Sequence, residues 1–475
     1  MNAITNLAPE NADSAIKELI LAHVGSKKYA MMQTGEAYYL TENEEISARE
    51  FYVYAENDKH EAVLIKDVYK ANNKMASSFY KIQVDQKINY SIGNQISYES
   101  AQSDQLIEIM GGNFQKTLKR VAKDASKKSI GWAQANINSQ GKFELIRIPS
   151  EQIVPVYKDA DGEELEYVVR YYTIKVLNEK GEAKKVTQAE VWDDEQVAIY
   201  RQRIDTDIFV LLGEKDGIFN NPRYHFSRDM KFGETVKERR GQSWGKVPFI
   251  PLYNNDDEIY DLQPIKNYVD VYDIVQSDFA NNLEDFQDIY WVLRGYSGTD
   301  VNTFLTEVKQ YKALKVAADG DAHAEKIEVP YEARQAELKN LEDCIFKFGM
   351  AVDIGRLTGS SVTNVMIKAM FANLDLKAND FEQQIKDFIW RVLYFVNVYA
   401  KQTSKPEIVL DKVTFTRGLI INEVELLEAN TKQQGNVSEH TRLANHRWVS
   451  DVEEEKRLLE EERGSITIPD EDDDE

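Results

Sequence analysis

The chain has 475 residues, 42% of them hydrophobic, which is enough to fill the cores of two to four structural units. Its 58 basic and 81 acidic residues give a formal net charge of -23. This balance argues against a protein that grips nucleic acid over its whole surface, because phosphate binding needs an excess of cations. Contact with DNA is expected only where basic residues gather locally.

The cysteine count, the spacing of the histidines and the hydropathy exclude further classes of protein. Cys344 is the single cysteine, so no intramolecular disulfide can form, and the six histidines show no zinc-ligand spacing. No stretch approaches the roughly 20 apolar residues of a membrane span, and residues 1–18 lack the pattern of a signal peptide. We expect a soluble protein made in the cytoplasm, without a metal, a cofactor or membrane contact.

The first quarter of the chain predicts three helices, because apolar residues recur there every three or four positions. The helices span 11–24, 73–90 and 114–126. The second has Phe79, Ile82 and Ile88 as its apolar face and ends near Gly93. The third carries basic residues on its outer side.

From about Gly131 the pattern changes to strands separated by Gly, Asp and Asn turns. The predicted strands are 133–137, 143–148, 167–176, 189–192 and 197–203. Residues 159–162 and 178–181 have the composition of turns, and Gly141 and Gly245 lie towards the two ends of the region. We predict an α+β fold with a substantial antiparallel sheet.

The second half is predominantly helical. Leu262 to Phe286 repeats apolar residues at helical spacing, and its other faces carry Asp270, Asp273 and Asp278. After a mixed segment, 295–330, a second helix begins at Tyr331. Its apolar seam comprises Leu338, Leu341, Ile345, Phe348 and Val352.

The next segment, 355–361, is a loop by composition and opens into a very long helix towards Ala400. The apolar face of this helix comprises Phe381, Ile385, Phe388, Val392, Phe395 and Tyr399. A strand pair at 408–415 and 419–421 and a last helical piece follow, and the acidic residues 470–475 are expected to be disordered. From periodicity alone, these helices fit an ordinary bundle equally well.

Catalytic motifs are not evident. No Gly-rich loop ends in Gly-Lys-Ser/Thr, and Gly111-Gly112 is interpreted as a simple turn. The acidic runs 256–258 and 453–455 are interpreted as solvated faces, and Cys344 as inert packing. A two-metal nuclease would need converging carboxylates, which the sequence neither indicates nor excludes.

Four segments resemble the portal family of long-tailed phages that infect Gram-positive bacteria. They are 72–97 (NNKMASSFYKIQVDQKINYSIGNQIS), 245–255 (GKVPFIPLYNN), 262–285 with its Asp270-Val-Tyr-Asp273 and Ser277-Asp278 elements, and 438–455 ending in WVSDVEEE. Together they span roughly residues 70 to 460 in the family's order. The chain departs from the pattern at 34–62, so the resemblance leaves the first 70 residues poorly assigned.

The resemblance implies a portal fold with a mixed α/β wing, a two-helix stem, a small α/β clip, a long kinked wing helix and a helical crown. The implied boundaries are wing 1–260, stem helices 261–287 and 330–354, clip 288–329, tunnel loop 355–363, long helix and wing return strands 364–437, and crown with acidic tail 438–475.

The resemblance also implies a function without enzymatic activity. Such proteins form dodecameric rings at one capsid vertex, where double-stranded DNA passes during packaging and ejection. They assemble with scaffolding and major capsid proteins, dock the terminase large subunit at the clip, and later bind a head-completion adaptor. An acidic channel wall suits this role, because tight phosphate binding would hold DNA that must slide.

Three groups of residues are candidates on this basis. The tunnel loop that would face DNA comprises Gly355, Arg356, Leu357, Thr358, Gly359, Ser360 and Ser361. The channel-lining stem candidates are Asp270, Asp273, Asp278, Lys339 and Lys347. The clip candidates for terminase and adaptor docking are Arg294, Tyr296, Lys309 and Lys312. We also expect neighbouring subunits to cover part of the apolar seams of the two stem helices.

Two other interpretations stay open from sequence. A head–tail adaptor or minor capsid protein would be a binding module without a tunnel loop, and the length and helix order speak against it. A DNA-processing enzyme, such as a nuclease or a terminase component, is less favoured because it would show a nucleotide loop or a convergent acidic cluster.

Overall fold

A computed structural model of the chain describes residues 9–56, 61–68, 70–159, 162–178, 180–216, 218, 220–232, 236–285, 290–294, 321–325, 331–357, 363–418, 432, 436–444, 449 and 452–465. Two compact units are present. The first combines Met1–Ala351 with Leu376–Arg417, and the second combines Val352–Asp375 with Gly418–Glu475.

Helices contribute to both units. They are α1 (Pro9–Val24), α2 (Lys27–Tyr39), α3 (Glu44–Ser47), α4 (Phe79–Ile92), α5 (Ser103–Met110), α6 (Phe114–Lys128), α7 (Lys266–Asp285), α8 (Tyr331–Phe348), α9 (Asn364–Gln402), α10 (Glu439–Ala444) and α11 (Val452–Ser465). Short 3-10 turns lie at Ser150–Gln152, Glu214–Asp216 and Ile354–Leu357. The sequence predicted α1, α6, α7, α8 and α9, but it did not predict α2, α3 or α5.

The strands lie in the first unit. They are β1 (Tyr52–Glu56), β2 (Ala62–Lys66), β3 (Ser97–Glu99), β4 (Ile130–Ile137), β5 (Phe143–Ile148), β6 (Ile153–Tyr157), β7 (Leu165–Leu177), β8 (Ala183–Trp192), β9 (Gln196–Gln202), β10 (Phe209–Leu211), β11 (Arg223–Tyr224), β12 (Phe226–Phe232), β13 (Val236–Gln242), β14 (Phe249–Tyr253), β15 (Tyr290–Arg294), β16 (Asp321–Glu325) and β17 (Lys412–Thr414).

The largest sheet confirms the predicted antiparallel architecture. Its order is β10-β9-β8-β7-β6, with β11 paired to β9, and each of these pairs is antiparallel. The turn between β7 and β8 is formed as its composition predicts. Asn178 Oδ1 accepts hydrogen bonds from the N–H groups of Lys180 and Glu182, and Gly181 adopts a φ of +77°, which favours glycine.

A second sheet, ordered β14-β4-β5, lies against α6. Most of β4 is buried, and Trp132 and Ala133 within it are almost fully enclosed. Gly131 meets the carbonyl of Val121 so closely that a Cβ atom would lie 2.1 Å from its oxygen. Only glycine therefore allows this approach of β4 to α6.

The main core joins α4, α6, α7, α8 and α9. The predicted apolar face of the long helix is confirmed at Phe381, Ile385 and Phe388, which are all buried. Leu341 and Ile345 of α8 are buried as well. Burial of this many large side chains supplies most of the stabilisation of the helical part, at about 25 cal/mol per Å² of apolar surface.

Two predicted apolar faces need correction. In α4, Ile82 is half exposed, and the buried face instead carries Tyr80, Val84 and Ile88. In α8, Phe348 is 41% exposed, although its ring contacts the ring of Tyr268 with centroids 5.2 Å apart.

The predicted strand near residue 410 has a distant partner. β17 pairs antiparallel with β3, over 300 residues earlier. Residues 419–421 lie outside the described residues. The second unit contains the turn Ile354–Leu357, the helices α10 and α11, and the first part of α9.

Candidate functional site

The helix α7, which carries the acidic channel-lining candidates, has buried polar side chains on one side. Asp273, Ser277 and Asn281 of α7 lie four residues apart and are 0%, 0% and 3% exposed. Residues four apart stack along one side of a helix. We refer to these three side chains as the polar ladder.

The partner of the ladder is the segment 72–78, named the strap here, which forms neither helix nor strand. Backbone N–H groups of alternate strap residues donate to it. Ser77 donates to Asp273 Oδ1 at 2.9 Å, and Met75 donates to Ser277 Oγ at 3.0 Å. Asn73 donates to Asn281 Oδ1 at 2.6 Å.

The spacing explains why the two segments fit. Two residues of extended chain advance about 6.6 Å, and four residues of α-helix advance about 6.0 Å, so both sets of groups repeat at similar intervals. Because these N–H groups bond to α7, residues 73–78 do not enter the predicted helix 73–90. That helix therefore begins at Phe79.

The carboxylate of Asp273 is satisfied on both oxygens, because Asn43 Nδ2 donates to Oδ2 at 2.8 Å. Burial raises the pKa of Asp273, and the bonds from Asn43 and Ser77 offset only part of this effect. A carboxylate enclosed by its own chain cannot line an open channel. The prediction for Asp273 is therefore wrong in this conformation.

The other two acidic candidates on α7 are also paired within the chain. Asp270 accepts a hydrogen bond from the Tyr38 hydroxyl and lies 2.7 Å from Lys266 Nζ. Asp278 forms an ion pair with Arg49 at 2.8 Å, and its side chain is 37% exposed. Whether either residue faces a channel stays a prediction.

The basic stem candidates, Lys339 and Lys347, are exposed on α8. Tyr331 and Phe348 at the two ends of the same helix are also more than 40% exposed. Elsewhere α7 and α8 pack on each other, and Leu341 and Ile345 of the α8 seam are buried. Much of the surface that we expected neighbours to cover is therefore covered within the chain.

The tunnel-loop candidates are described in part. Gly355, Arg356 and Leu357 belong to the 3-10 turn Ile354–Leu357. Asp353 accepts from the Gly355 N–H at 3.0 Å and pairs with Arg356 Nε at 3.1 Å, leaving the Arg356 side chain 51% exposed. The other candidates lie outside the described residues: Thr358, Gly359, Ser360 and Ser361.

The clip candidates are described only at Arg294, which ends β15 opposite Asp321 of the antiparallel partner β16. Tyr296, Lys309 and Lys312 lie outside the described residues. Whether this strand pair belongs to a clip stays a prediction.

A buried ionic site was not predicted from the sequence. Asp261 lies between two ammonium groups, with Lys87 Nζ at 3.1 Å and Lys377 Nζ at 3.3 Å. Asn254 Oδ1 accepts a further bond from Lys87 at 2.6 Å, and Lys87 Nζ lies 4.0 Å from the centroid of the Phe381 ring. The site links α4, the segment before α7, and α9.

Burial and pairing shift both titrating groups strongly. Desolvation lowers the pKa of Lys87 to about 8, although Asp261 opposes this shift. Burial alone would raise the pKa of Asp261, but Lys377 and Lys87 lower it to about 2. One signal was available in the sequence, because Lys87 follows Tyr80 and Val84 at helical spacing on the buried face of α4.

A second buried network lies at the end of α6, beyond the predicted helix 114–126. Lys127 and Lys128 in the last turn are buried, whereas Lys116 and Arg120 on the predicted outer side are exposed. Glu36 Oε2 lies 2.7 Å from Lys127 Nζ and 2.9 Å from Lys128 Nζ, and Glu151 lies 2.7 Å from Lys128 Nζ. Cations at a helix C-terminus also interact favourably with the helix dipole.

These contacts are structural and do not form a recognisable catalytic arrangement. Among the described residues, no group of three or more His, Cys, Asp or Glu side chains could hold a metal ion. A cavity of about 350 Å³ beside Gly245 has acidic and basic side chains in equal number: Lys158, Lys246, Arg391, Glu163, Glu164 and Asp194. In the described part of the chain, no helix is both long and apolar enough to cross a membrane.

Comparisons with solved structures give weak similarities only. A chain in the neck of an empty GTA particle, computed with C6 symmetry, has a TM-score of 0.40 at 10% identity. The match covers 81% of this chain and 90% of that one. A chain from the neck of the native particle, computed with C12 symmetry, has a TM-score of 0.38 at 10% identity, covering 80% and 89%.

Two portal proteins are similar to this chain in sequence over most of its length. The portal protein of Bacillus phage SPP1 is 30% identical over 439 residues, covering 90% of this chain and 82% of the relative. The portal protein of Clostridium phage phiCD119 is 28% identical over 450 residues, covering 88% and 93%. The family described as phage portal protein, SPP1 Gp6-like, matches residues 20–467. Because that match includes nearly the whole chain, the protein belongs to the SPP1 Gp6-like family of phage portal proteins.

Proposed function

We propose that the chain forms a dodecameric ring at one vertex of a phage capsid. The ring encloses the channel through which double-stranded DNA enters during packaging and leaves during ejection. The family match over residues 20–467 carries this proposal, because it includes nearly the whole chain.

The charge of the chain supports a channel through which DNA slides. Each phosphate held by a cation adds affinity through counterion release, and a ring of identical subunits multiplies the effect. A net charge of -23 per chain opposes such binding. Asp270, Asp278, Lys339 and Lys347 remain the stem candidates for the channel wall, with Arg356 in the tunnel loop.

The partners in the proposal follow the order of assembly. Scaffolding and major capsid proteins surround the ring as the head forms in the host cytoplasm. The terminase large subunit and later a head-completion adaptor dock at the clip, where Arg294, Tyr296, Lys309 and Lys312 are the candidate contacts. The finished ring stays in the virion, and no step requires a membrane, a cofactor or an enzymatic activity of the ring.

Imaging of the purified protein tests the proposal. Electron microscopy is expected to show closed rings with an axial channel, and light scattering is expected to give the mass of about twelve chains. A strictly monomeric protein at every salt and protein concentration would contradict the proposal. ATP hydrolysis or DNA cleavage that disappears when residues of this chain are mutated would favour a DNA-processing enzyme instead.

A further inference from the structure

The hairpin of β1 and β2 carries large apolar side chains on both faces, and the described part of the chain leaves much of their surface exposed. Tyr52, Tyr54 and Leu64 lie on one face and are 58%, 75% and 57% exposed. Val53 and Ile65 lie opposite each other on the other face and are 44% and 45% exposed. We refer to these five side chains as the hairpin surface.

Such a hairpin lacks the usual source of stability. A two-stranded sheet in water is marginal at best, and it normally needs a third strand or a packed apolar face. The five side chains expose roughly 500 Å² of mainly apolar surface, compared with about 800 Å² that each partner contributes to a standard protein interface. Contiguous apolar patches of a few hundred Å² often mark sites of association.

The base of the hairpin is firmly attached to α7 and the strap. Arg49, just before β1, pairs with Asp278 of α7 at 2.8 Å, and its carbonyl accepts from Asn72 Nδ2 at 3.0 Å. Glu50 lies 2.8 Å from Lys66 Nζ and 3.4 Å from Lys74 Nζ. The hairpin is therefore held by polar contacts at its base, while its apolar part remains uncovered.

We propose that the hairpin surface is an arm that docks on a second copy of this chain. This inference rests on the proposed ring. A closed ring joins its subunits head to tail, so each chain must present two different surfaces that fit each other. A projecting hairpin with two apolar faces is suited to enter a groove of the next chain, where both faces become buried.

A double variant on one face tests the arm. Tyr54 and Leu64 lie directly opposite each other, so Tyr54→Thr with Leu64→Thr removes apolar area while keeping residues that favour strands. The matched control is Leu177→Thr, which changes a 71% exposed leucine in another hairpin. Light scattering against protein concentration measures ring formation, and circular dichroism checks that each chain is folded.

We expect the control to form rings like the unchanged protein and the double variant to need roughly tenfold more protein or more, since buried aromatic anchors dominate interfaces. If the double variant forms rings at the same protein concentration as the unchanged protein, the proposal of a docking arm is wrong while the proposed function stands. If the unchanged protein forms no rings, the proposed function itself fails.

A second measurement applies even if the double variant does not fold. A photo-crosslinking phenylalanine derivative in place of Tyr54 is expected to join two copies of the chain within purified rings, as mass spectrometry of the linked peptides would show. Crosslinks only within one chain would overturn the proposal. Crosslinking in assembled heads to the major capsid protein, with none between portal chains, would overturn it as well.

Discussion

The backbone N–H of Ser77 lies 2.9 Å from Oδ1 of Asp273, although the two residues are 196 positions apart. Both belong to segments that carried the family resemblance, 72–97 and 262–285. The strap and the polar ladder are therefore two halves of one contact. This contact gives a physical reason for the buried polar side chains of α7, since they accept hydrogen bonds from backbone N–H groups of the strap.

The first prediction concerns Asn281, the end of the polar ladder. Asn281→Ala leaves the part-buried N–H of Asn73 without its acceptor and is expected to cost about 1–2 kcal/mol of unfolding free energy. Asn282→Ala is the matched control, because the same residue type next along α7 is only partly buried, and it is expected to cost less than about 0.5 kcal/mol.

Denaturant unfolding measures the difference, and amide hydrogen exchange locates it. Asn281→Ala should speed exchange at Asn73 more than in α4. Equal losses of stability for the two variants, with unchanged exchange at Asn73, would show that the ladder does not hold the strap.

The second prediction concerns Asp261, the shared carboxylate of the buried ionic site. Asp261→Asn leaves Lys87 and Lys377 without their common counter-charge, so we expect a loss of about 3–5 kcal/mol. Asp257→Asn changes an exposed carboxylate four residues earlier and is expected to be nearly neutral. Thermal and denaturant unfolding at neutral pH compare the two. A nearly neutral Asp261→Asn would mean that the site contributes little to stability.

The third prediction follows from the pKa of Lys87, which is about 8 in the folded chain against an ordinary value of 10.5. Between these values the unfolded chain binds more protons than the folded chain, so the contribution of Lys87 to stability rises with pH. Compared with Lys87→Met, the unchanged protein should gain on the order of 2 kcal/mol between pH 8 and pH 10.

Unfolding free energies of both proteins across this pH range measure the gain. The tyrosines titrate in both proteins, so their effect cancels in the difference. Parallel stability curves from pH 8 to pH 10 would contradict the assigned pKa of Lys87.

Local periodicity predicted the parts of the fold that depend on neighbouring residues. The long helix is an example, because Phe381, Ile385 and Phe388 repeat at helical spacing and all face the core. The turn at Asn178 is another, since its side chain bonds to nearby N–H groups. In both cases the interaction that fixes the structure lies within a few positions along the chain.

The sequence could not reveal contacts whose two halves are distant. Lys127 pairs with Glu36, 91 positions away, so no local pattern predicted its burial. The strap was predicted as part of a helix because the acceptors of its N–H groups lie far along the chain on α7, where no local pattern could reveal them. The residues that would face a channel could not be predicted either. Their orientation depends on neighbouring copies of the chain and not on a pattern within a single chain.

The last prediction concerns the proposed tunnel loop, residues 355–363. Arg356 is half exposed, and its pairing within the turn is to Asp353, so changing it removes little from the core. Exposed loops tolerate substitution where no buried backbone depends on them. Arg356→Ala, or valines in place of Gly359 and Ser360, should therefore leave ring yield nearly unchanged.

Packaging is expected to respond differently if the loop contacts moving DNA. Heads built with the same variants should package DNA less efficiently. The packaging efficiency is expected to fall on the order of tenfold for each 1.4 kcal/mol of lost contact energy. Arg356→Lys keeps the charge and separates loss of the cation from loss of the guanidinium group. The measurements are ring yield by light scattering and DNA content of the heads for each variant. Full heads at normal efficiency from all of them would remove the DNA-facing role, whereas lost rings would show that the loop holds the ring together.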